Sequence, residues 1–326
     1  MGSDPERYDL LVTSSSWEAR SKSVGLRLSD DHRFKKAVVF RYRHPHESVG
    51  GRLERENHSS LMHLLGACCE DLASVEDDLW QPLDAVCHLD EEIRKSFGGA
   101  QNLRILFDVS TFTKAYTLVF LRYLDNEDSN NRLTLFYTDL LPPQRDRPTE
   151  GIRKIISLPF YGGSYSQGKE GLLLAFLGFE PERVIGLWES IGPQFTIPMY
   201  SIRRDGKSPL DSKALREQLL SRPGVADPIQ VPGSNPLFVA AALSKLYANY
   251  RGKYNIAVAA VGNKLQCVGL YIFTKVQRAD VAVLYPIAGR YKREYWNPTQ
   301  MGPSVKIDMC NYRVLPLESS GGLARV

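Results

Sequence analysis

Residues 103–124, LRILFDVSTFTKAYTLVFLRYL, constrain the fold more than any other stretch. Leu103, Ile105, Leu106 and Phe107 make a short apolar run with the length and the aromatic or β-branched character of a buried strand. Asp108-Val109-Ser110-Thr111-Phe112-Thr113-Lys114 follows, carrying three hydroxyls and a lysine, and then Tyr116, Leu118, Val119, Leu121 and Leu124 recur at helical spacing. Strand, polar loop and helix in this order put the loop at the carboxyl end of a strand and at a helix N-terminus. In an open α/β sheet ligands bind there, because free N–H groups and the helix dipole point at anions.

The first half supplies elements to pair with it. Residues 8–13 read as the first strand, Ser14-Ser15-Ser16-Trp17-Glu18 as a loop opening a helix, and 36–42 as a second strand. Residues 43–58 read as an exposed charged loop and 59–72 as a helix. A third strand is expected at 85–89, a short helix at 90–97, and further strands at 132–138 and 152–159. The proline-rich 142–150 and the Gly/Ser-rich 161–169 flank the last of these, placing a domain boundary near residue 168.

The second half repeats that order. Strands are expected at 171–177, 194–202, 254–261 and 280–285, and helices at 184–190, 212–221, 236–251 and 265–274, with Pro181 near the first turn of the first helix. Residues 10–13 correspond to 172–177, Ser16-Trp17-Glu18 to Gly178-Phe179-Glu180, Thr113-Lys114 to Asn263-Lys264, and 133–137 to 281–285. Identity between the halves is low, so the repeat is one of element order and loop chemistry. Alternating strands and helices imply two parallel-sheet α/β domains, 1–168 and 169–326, the second ending in a C-terminal tail.

In each half the loop after the first strand and the loop before the later helix are expected to meet. These are Ser14, Ser15, Ser16 and Trp17 with Ser110, Thr111, Thr113 and Lys114, and Gly178 and Phe179 with Gly262, Asn263 and Lys264. Hydroxyls, backbone N–H groups, one lysine and one aromatic per half form a cradle for phosphate with a stacked base. The other reading is that the hydroxyls cap helices, the lysines face solvent and Trp17 and Phe179 pack in the core. Recurrence in both halves favours the cradle.

A strand ending in Asp, then a hydroxyl-rich turn closing on Thr-Lys before a small-residue helix, resembles the ligand loop of CARF domains. Those Rossmann-like sensors, and the related tandem sensor called SAVED, bind cyclic oligonucleotides in prokaryotic antiviral defence. Asp108 to Lys114 is similar to that loop, the serine loop sits at the family's first-strand position, and Gly262-Asn263-Lys264 is a second copy. Phe112 stands where the family often has Gly. The second copy has Ala259-Ala260 in place of Asp and lacks the Thr before Lys. The resemblance implies a pseudo-duplicated α/β chain of two tandem Rossmann-like domains that senses a nucleotide-type ligand in the cleft between them. Lys114 and Lys264 would neutralise phosphate, the serine loop, Thr111 and Thr113 would donate hydrogen bonds, and Trp17 or Phe179 would flank a base. No effector segment is evident, so an effector would be a separate protein. Alternatives are a metal-independent ring nuclease in the same cleft, a nucleotide-sugar transferase and a non-catalytic scaffold.

Composition narrows the rest. The 326 residues are 43% apolar and 24% charged, and a net charge of +4 is too small to declare a nucleic-acid polymer or a membrane as partner. No apolar run reaches membrane-spanning length and the N-terminus lacks signal-peptide regions. Five cysteines without a C-x-x-C pair read as reduced, mostly buried thiols of a cytoplasmic protein. No G-x-G-x-x-G follows the first strand and there is no Walker loop or G-x-S-x-G, so no cofactor is expected. His44-Pro45-His46 and the scattered His32, His58, His63 and His88 lack metal-site spacing. Glu18 with Arg20 and Glu180 with Arg183 read as helix-surface pairs. Arg290 to Trp296 interleaves bases and aromatics, a pattern that grips nucleotides or docks a partner.

Overall fold

The computed structural model describes residues 5–42, 49–78, 80–140, 149–203, 206–291 and 301–317. They group into two compact units, one drawn from 1–113, 123–143 and 296–326, the other from 114–122 and 144–295. In chain order the first half contains β1 (Glu6–Ser14), α1 (Ser23–Leu28), β2 (His32–Tyr42), α2 (Val49–Gly66), β3 (Cys69–Asp77), α3 (Pro82–Phe97), β4 (Arg104–Asp108), α4 (Lys114–Leu124) and β5 (Arg132–Leu140). Then come β6 (Thr149–Ser157), β7 (Glu170–Phe176), α5 (Pro181–Ile191), β8 (Phe195–Tyr200), α6 (Lys213–Leu215, continued by one wide turn, Arg216–Leu220) and β9 (Ile229–Gln230). The chain goes on through α7 (Pro236–Tyr250), β10 (Tyr254–Ala259), α8 (Lys264–Val276), β11 (Ala282–Tyr291), β12 (Met301–Asp308) and β13 (Arg313–Leu317).

The first sheet runs β13-β12-β5-β4-β1-β2-β3, and its five strands from β5 to β3 are parallel. β12 closes antiparallel on β5, and β13 on β12. The second sheet runs β6-β11-β10-β7-β8-β9, again with five parallel strands and one antiparallel addition, β6 on β11. The parallel order is therefore the same in both units, as the repeat of element order predicts. Parallel strands covered on both faces are apolar throughout, and Ile105, Leu106 and Phe107 of β4 are fully buried, as are Leu173, Leu174 and Ala175 of β7.

Several expectations are corrected. Residues 49–58 are not an exposed loop: α2 starts at Val49, and Glu54 and Asn57 are buried. The stripe Glu54, Asn57, Leu61, Leu65 has helical spacing, but the two polar members at its start hide it. The helix expected to reach Leu72 stops at Gly66, and Cys69 opens the edge strand β3, pairing with Phe34. The strand expected at 85–89 is the first half of α3, whose buried Ala85, Val86, Leu89 and Ile93 keep helical spacing between Pro82 and a left-handed Gly98. Short apolar runs do not separate strand from buried helix by pattern alone. The boundary expected near 168 also shifts, because β6 joins the second sheet while the C-terminal β12 and β13 extend the first. Only long-range pairing decides these memberships.

Of the five thiols Cys68 and Cys267 are buried, Cys69 is half-buried, and Cys87 and Cys310 are exposed; all are free. Among the described residues no helix is long and apolar enough to cross a membrane. His44-Pro45-His46, most of 142–150 and most of Arg290 to Trp296 lie outside the described residues.

Candidate functional site

In the first unit the chain leaves β1 for β2 and leaves β4 for β5 in opposite directions, so the crevice between β1 and β4 is the topological switch point. The loops after these strands are the serine loop and Val109–Thr113. They are tied together: Thr111 Oγ1 donates to the Ser14 carbonyl at 2.7 Å, and the two hydroxyls lie 2.8 Å apart. Below them Thr13 donates to Asp108 Oδ2 at 2.9 Å, and the Ser110 amide donates to Oδ1 at 2.9 Å. Burial pushes the Asp108 carboxyl up to about 6, against the lowering effect of Ser110, Thr13 and the charge of Arg20.

The serine hydroxyls of these loops are engaged by the protein. Ser110 Oγ accepts from the Thr138 amide at 2.9 Å, and Ser16 Oγ from the Glu18 amide at 3.0 Å. Ser15 Oγ lies 3.1 Å from Glu54 Oε1 and 3.2 Å from His58 Nδ1, and His58 Nε2 lies 3.1 Å from Ser74 Oγ. Ser15 Oγ donates to Glu54 Oε1, so His58 Nδ1–H donates to Ser15, leaving Nε2 to accept from Ser74. Burial, and then the charge of Arg41, lower the His58 pKa and favour this neutral imidazole.

Ser14, Ser15, Ser16 and Ser110 are thus buried with their hydroxyls bonded within the protein, whereas the sequence reading has the serine loop donating to a ligand. Trp17, expected beside a base, is buried in the core with 7% of its surface exposed. Thr111, Thr113 and Lys114 keep partial exposure.

The second unit has its switch point between β7 and β10, where the chain departs for β8 and for β11. Gly178 and Phe179 follow β7, and Gly262, Asn263 and Lys264 follow β10. Gly178 lies so close to this second loop that a Cβ there would sit 2.8 Å from the Val261 carbonyl oxygen. That same carbonyl accepts from Lys114 Nζ at 2.8 Å, Lys114 being counted in this unit. Lys264, half-buried, opens α8 three residues later. Burial pushes the nearby Cys267 thiol up to about 11, and the charges of Lys114, Lys264 and Arg183 oppose the rise. Both lysines therefore act on the N-terminal end of α8.

This end carries a capping box. Asn263 Oδ1 accepts from the Gln266 amide at 2.8 Å, and Gln266 Oε1 accepts from the Asn263 amide at 2.8 Å. Asn263 Nδ2 also donates to the Gly233 carbonyl at 3.1 Å. Gly262 and Asn263 differ in setting, the first buried and the second exposed. Half-buried Phe179 lies under the Arg203 guanidinium, 4.7 Å from the ring centre.

Arg20, Glu180 and Arg183 are buried and Glu18 is partly buried, so Glu18–Arg20 and Glu180–Arg183 are not the surface pairs expected. Each arginine also donates to a carbonyl of the fifth parallel strand of its sheet, Arg20 to Thr138 and Arg183 to Pro286. Sequence reasoning also missed Glu54 with His58, an i, i+4 pair on α2, and Gln266, Arg203 and Gly233. The spacing of Asn263 and Gln266 is a capping-box signature visible in the sequence, whereas nothing local marks Arg203 as lying over Phe179.

No protein-family model matches the chain, and no curated protein matches it. Among solved structures, an MccF-like protein from Streptococcus pneumoniae in complex with AMP aligns over 96% of this chain and 99% of that one, at 11% identity and a TM-score of 0.21. That score is too low to carry an argument about fold or ligand.

Proposed function

We propose that the chain is a sensor that binds a nucleotide-type anion at its switch-point loops, with cyclic oligonucleotides as the ligand class that the CARF-like loop suggests. The observation carrying this reading is the arrangement of Lys114 and Lys264 about the start of α8, the Lys114 ammonium 2.8 Å from the Val261 carbonyl and Lys264 the first residue of the helix. Two cations at a helix N-terminus favour an anion through charge and dipole together. Of the sequence-predicted residues, Thr111, Thr113, Lys114, Gly178, Phe179, Asn263 and Lys264 have the exposure to meet a ligand. Ser14, Ser15, Ser16, Ser110, Trp17 and Gly262 act beneath them by fixing the loops. Phe179 offers a ring face for a base, in place of Trp17.

Isothermal titration with a panel of cyclic oligonucleotides tests the reading. Saturable binding that is lost in the Lys114→Ala/Lys264→Ala double variant is expected. No binding across the panel, or binding unchanged in the double variant, overturns it.

A further inference from the structure

Gln266 lies on the first turn of α8 with 1% of its surface exposed. Its Oε1 is committed to the Asn263 amide, which is a donor, so the orientation of the side-chain amide is fixed by chemistry. Its Nε2 therefore points away from that bond, and it is buried with no hydrogen-bond partner among the described residues. Buried amide N–H groups left unpaired are destabilising and rarely retained without a reason. The side chain lies against the Gly262–Asn263 turn, where a Cβ on Gly262 would fall 2.1 Å from Oε1. The same few residues hold the other features of a binding site: Lys264 at the helix start, Lys114 on the preceding carbonyl, and Phe179 beneath Arg203.

We propose that Gln266 is the specificity-determining donor of the second unit's switch point, its Nε2 reserved for a phosphoryl oxygen of the bound ligand. This rests on the anion-binding reading above, and adds to it which unit reads the ligand and through which neutral group. The lysines supply charge without direction, whereas an amide with one fixed bond supplies direction. In the first unit the Thr111, Ser110 and Ser14 hydroxyls are already bonded within the protein. Oε1 of the same amide lies against Gly262 and accepts from the Asn263 amide, so an acceptor drawn to Nε2 pulls on that turn. Binding therefore perturbs the side-chain amides of both Asn263 and Gln266.

The test titrates uniformly ¹⁵N-labelled full-length protein with inorganic phosphate and with cyclic tri- and tetra-adenylate, reading side-chain amide resonances and affinity. Wild type is expected to show saturable shifts of the Gln266 and Asn263 side-chain amides. Gln266→Met removes the donor without adding charge and is expected to weaken binding about tenfold. Gln266→Glu keeps an acceptor for the Asn263 amide, so the cap and the fold persist, and it is expected to weaken anion binding further. Saturable binding that leaves the Gln266 amide unshifted overturns the proposal, as does a Gln266→Met protein that binds like wild type. So does a fixed water on Nε2 in both free and bound forms. If the lysine double variant loses binding while both Gln266 variants keep it, the anion reading stands and this proposal falls. Failure of wild type to bind any probe removes both.

Discussion

The Arg20 guanidinium donates to the Thr138 carbonyl at 3.3 Å, and the same relationship recurs 163 residues on, where Arg183 donates to the Pro286 carbonyl at 3.1 Å. Thr138 and Pro286 hold the same place in their sheets, each two residues past the partner of the last residue of the preceding parallel strand, Asp108 or Ala259. Each arginine pairs with a glutamate from the loop after the first strand of its sheet. The pair thus ties that loop to a strand two places away, across the switch point.

Cutting one partner leaves a buried charge uncompensated. Arg183→Met is expected to destabilise the second unit by about 3–5 kcal/mol, because Glu180 stays behind in a dry site. Urea unfolding followed by circular dichroism measures this. The Glu180→Gln/Arg183→Met double variant is expected to recover part of the loss, and a single variant as stable as wild type would show that the pair contributes nothing.

Asp108 makes the first unit sensitive to pH in an unusual direction. Burial raises its folded carboxyl to about 6 from the ordinary 3.8, so between these values the folded state holds a proton that the unfolded chain has released. Raising the pH withdraws that proton, and stability present below the lower value is lost as pH rises through about 6. A shift of about two pH units corresponds to about 3 kcal/mol at neutrality. Denaturation midpoints at pH 4 and pH 7 are expected to differ less in Asp108→Asn than in wild type. An identical pH profile in both proteins would contradict the assignment.

Gly178 lets the loop after β7 pass against the Val261 carbonyl. A Cβ there would meet that oxygen at 2.8 Å, and backbone cannot retreat as a flexible side chain can. Gly178→Ala is expected to cost about 1–3 kcal/mol by overpacking and to disturb the acceptor of Lys114. Thermal melts and the anion affinity are expected to fall together, whereas Gly66→Ala, where a Cβ meets nothing within 4 Å, leaves affinity unchanged.

The repeat was legible because strand–loop–helix units at residues 103–124 and 254–274 carry their own periodicity. Loop positions followed from it, since a turn between strand and helix falls at one end of a parallel sheet wherever the strand pairs. Strand partners were not legible. β6 and β12 are antiparallel additions whose sheet is chosen by distant residues, and that choice moved the unit boundaries. Burial inside the loops was also hidden. Ser15 reads as a ligand-facing hydroxyl until α2 brings Glu54 and His58 to it, and the capping-box spacing of Asn263 and Gln266 does not tell that the Gln266 side chain is buried.

Titration of wild type, Lys114→Ala, Lys264→Ala and the double variant with one cyclic oligonucleotide at fixed salt tests the central claim most directly. Each single variant is expected to bind about tenfold more weakly, as for loss of one charge-assisted hydrogen bond, with binding abolished in the double variant. Four proteins with equal affinity, or no affinity in any of them, would contradict the account.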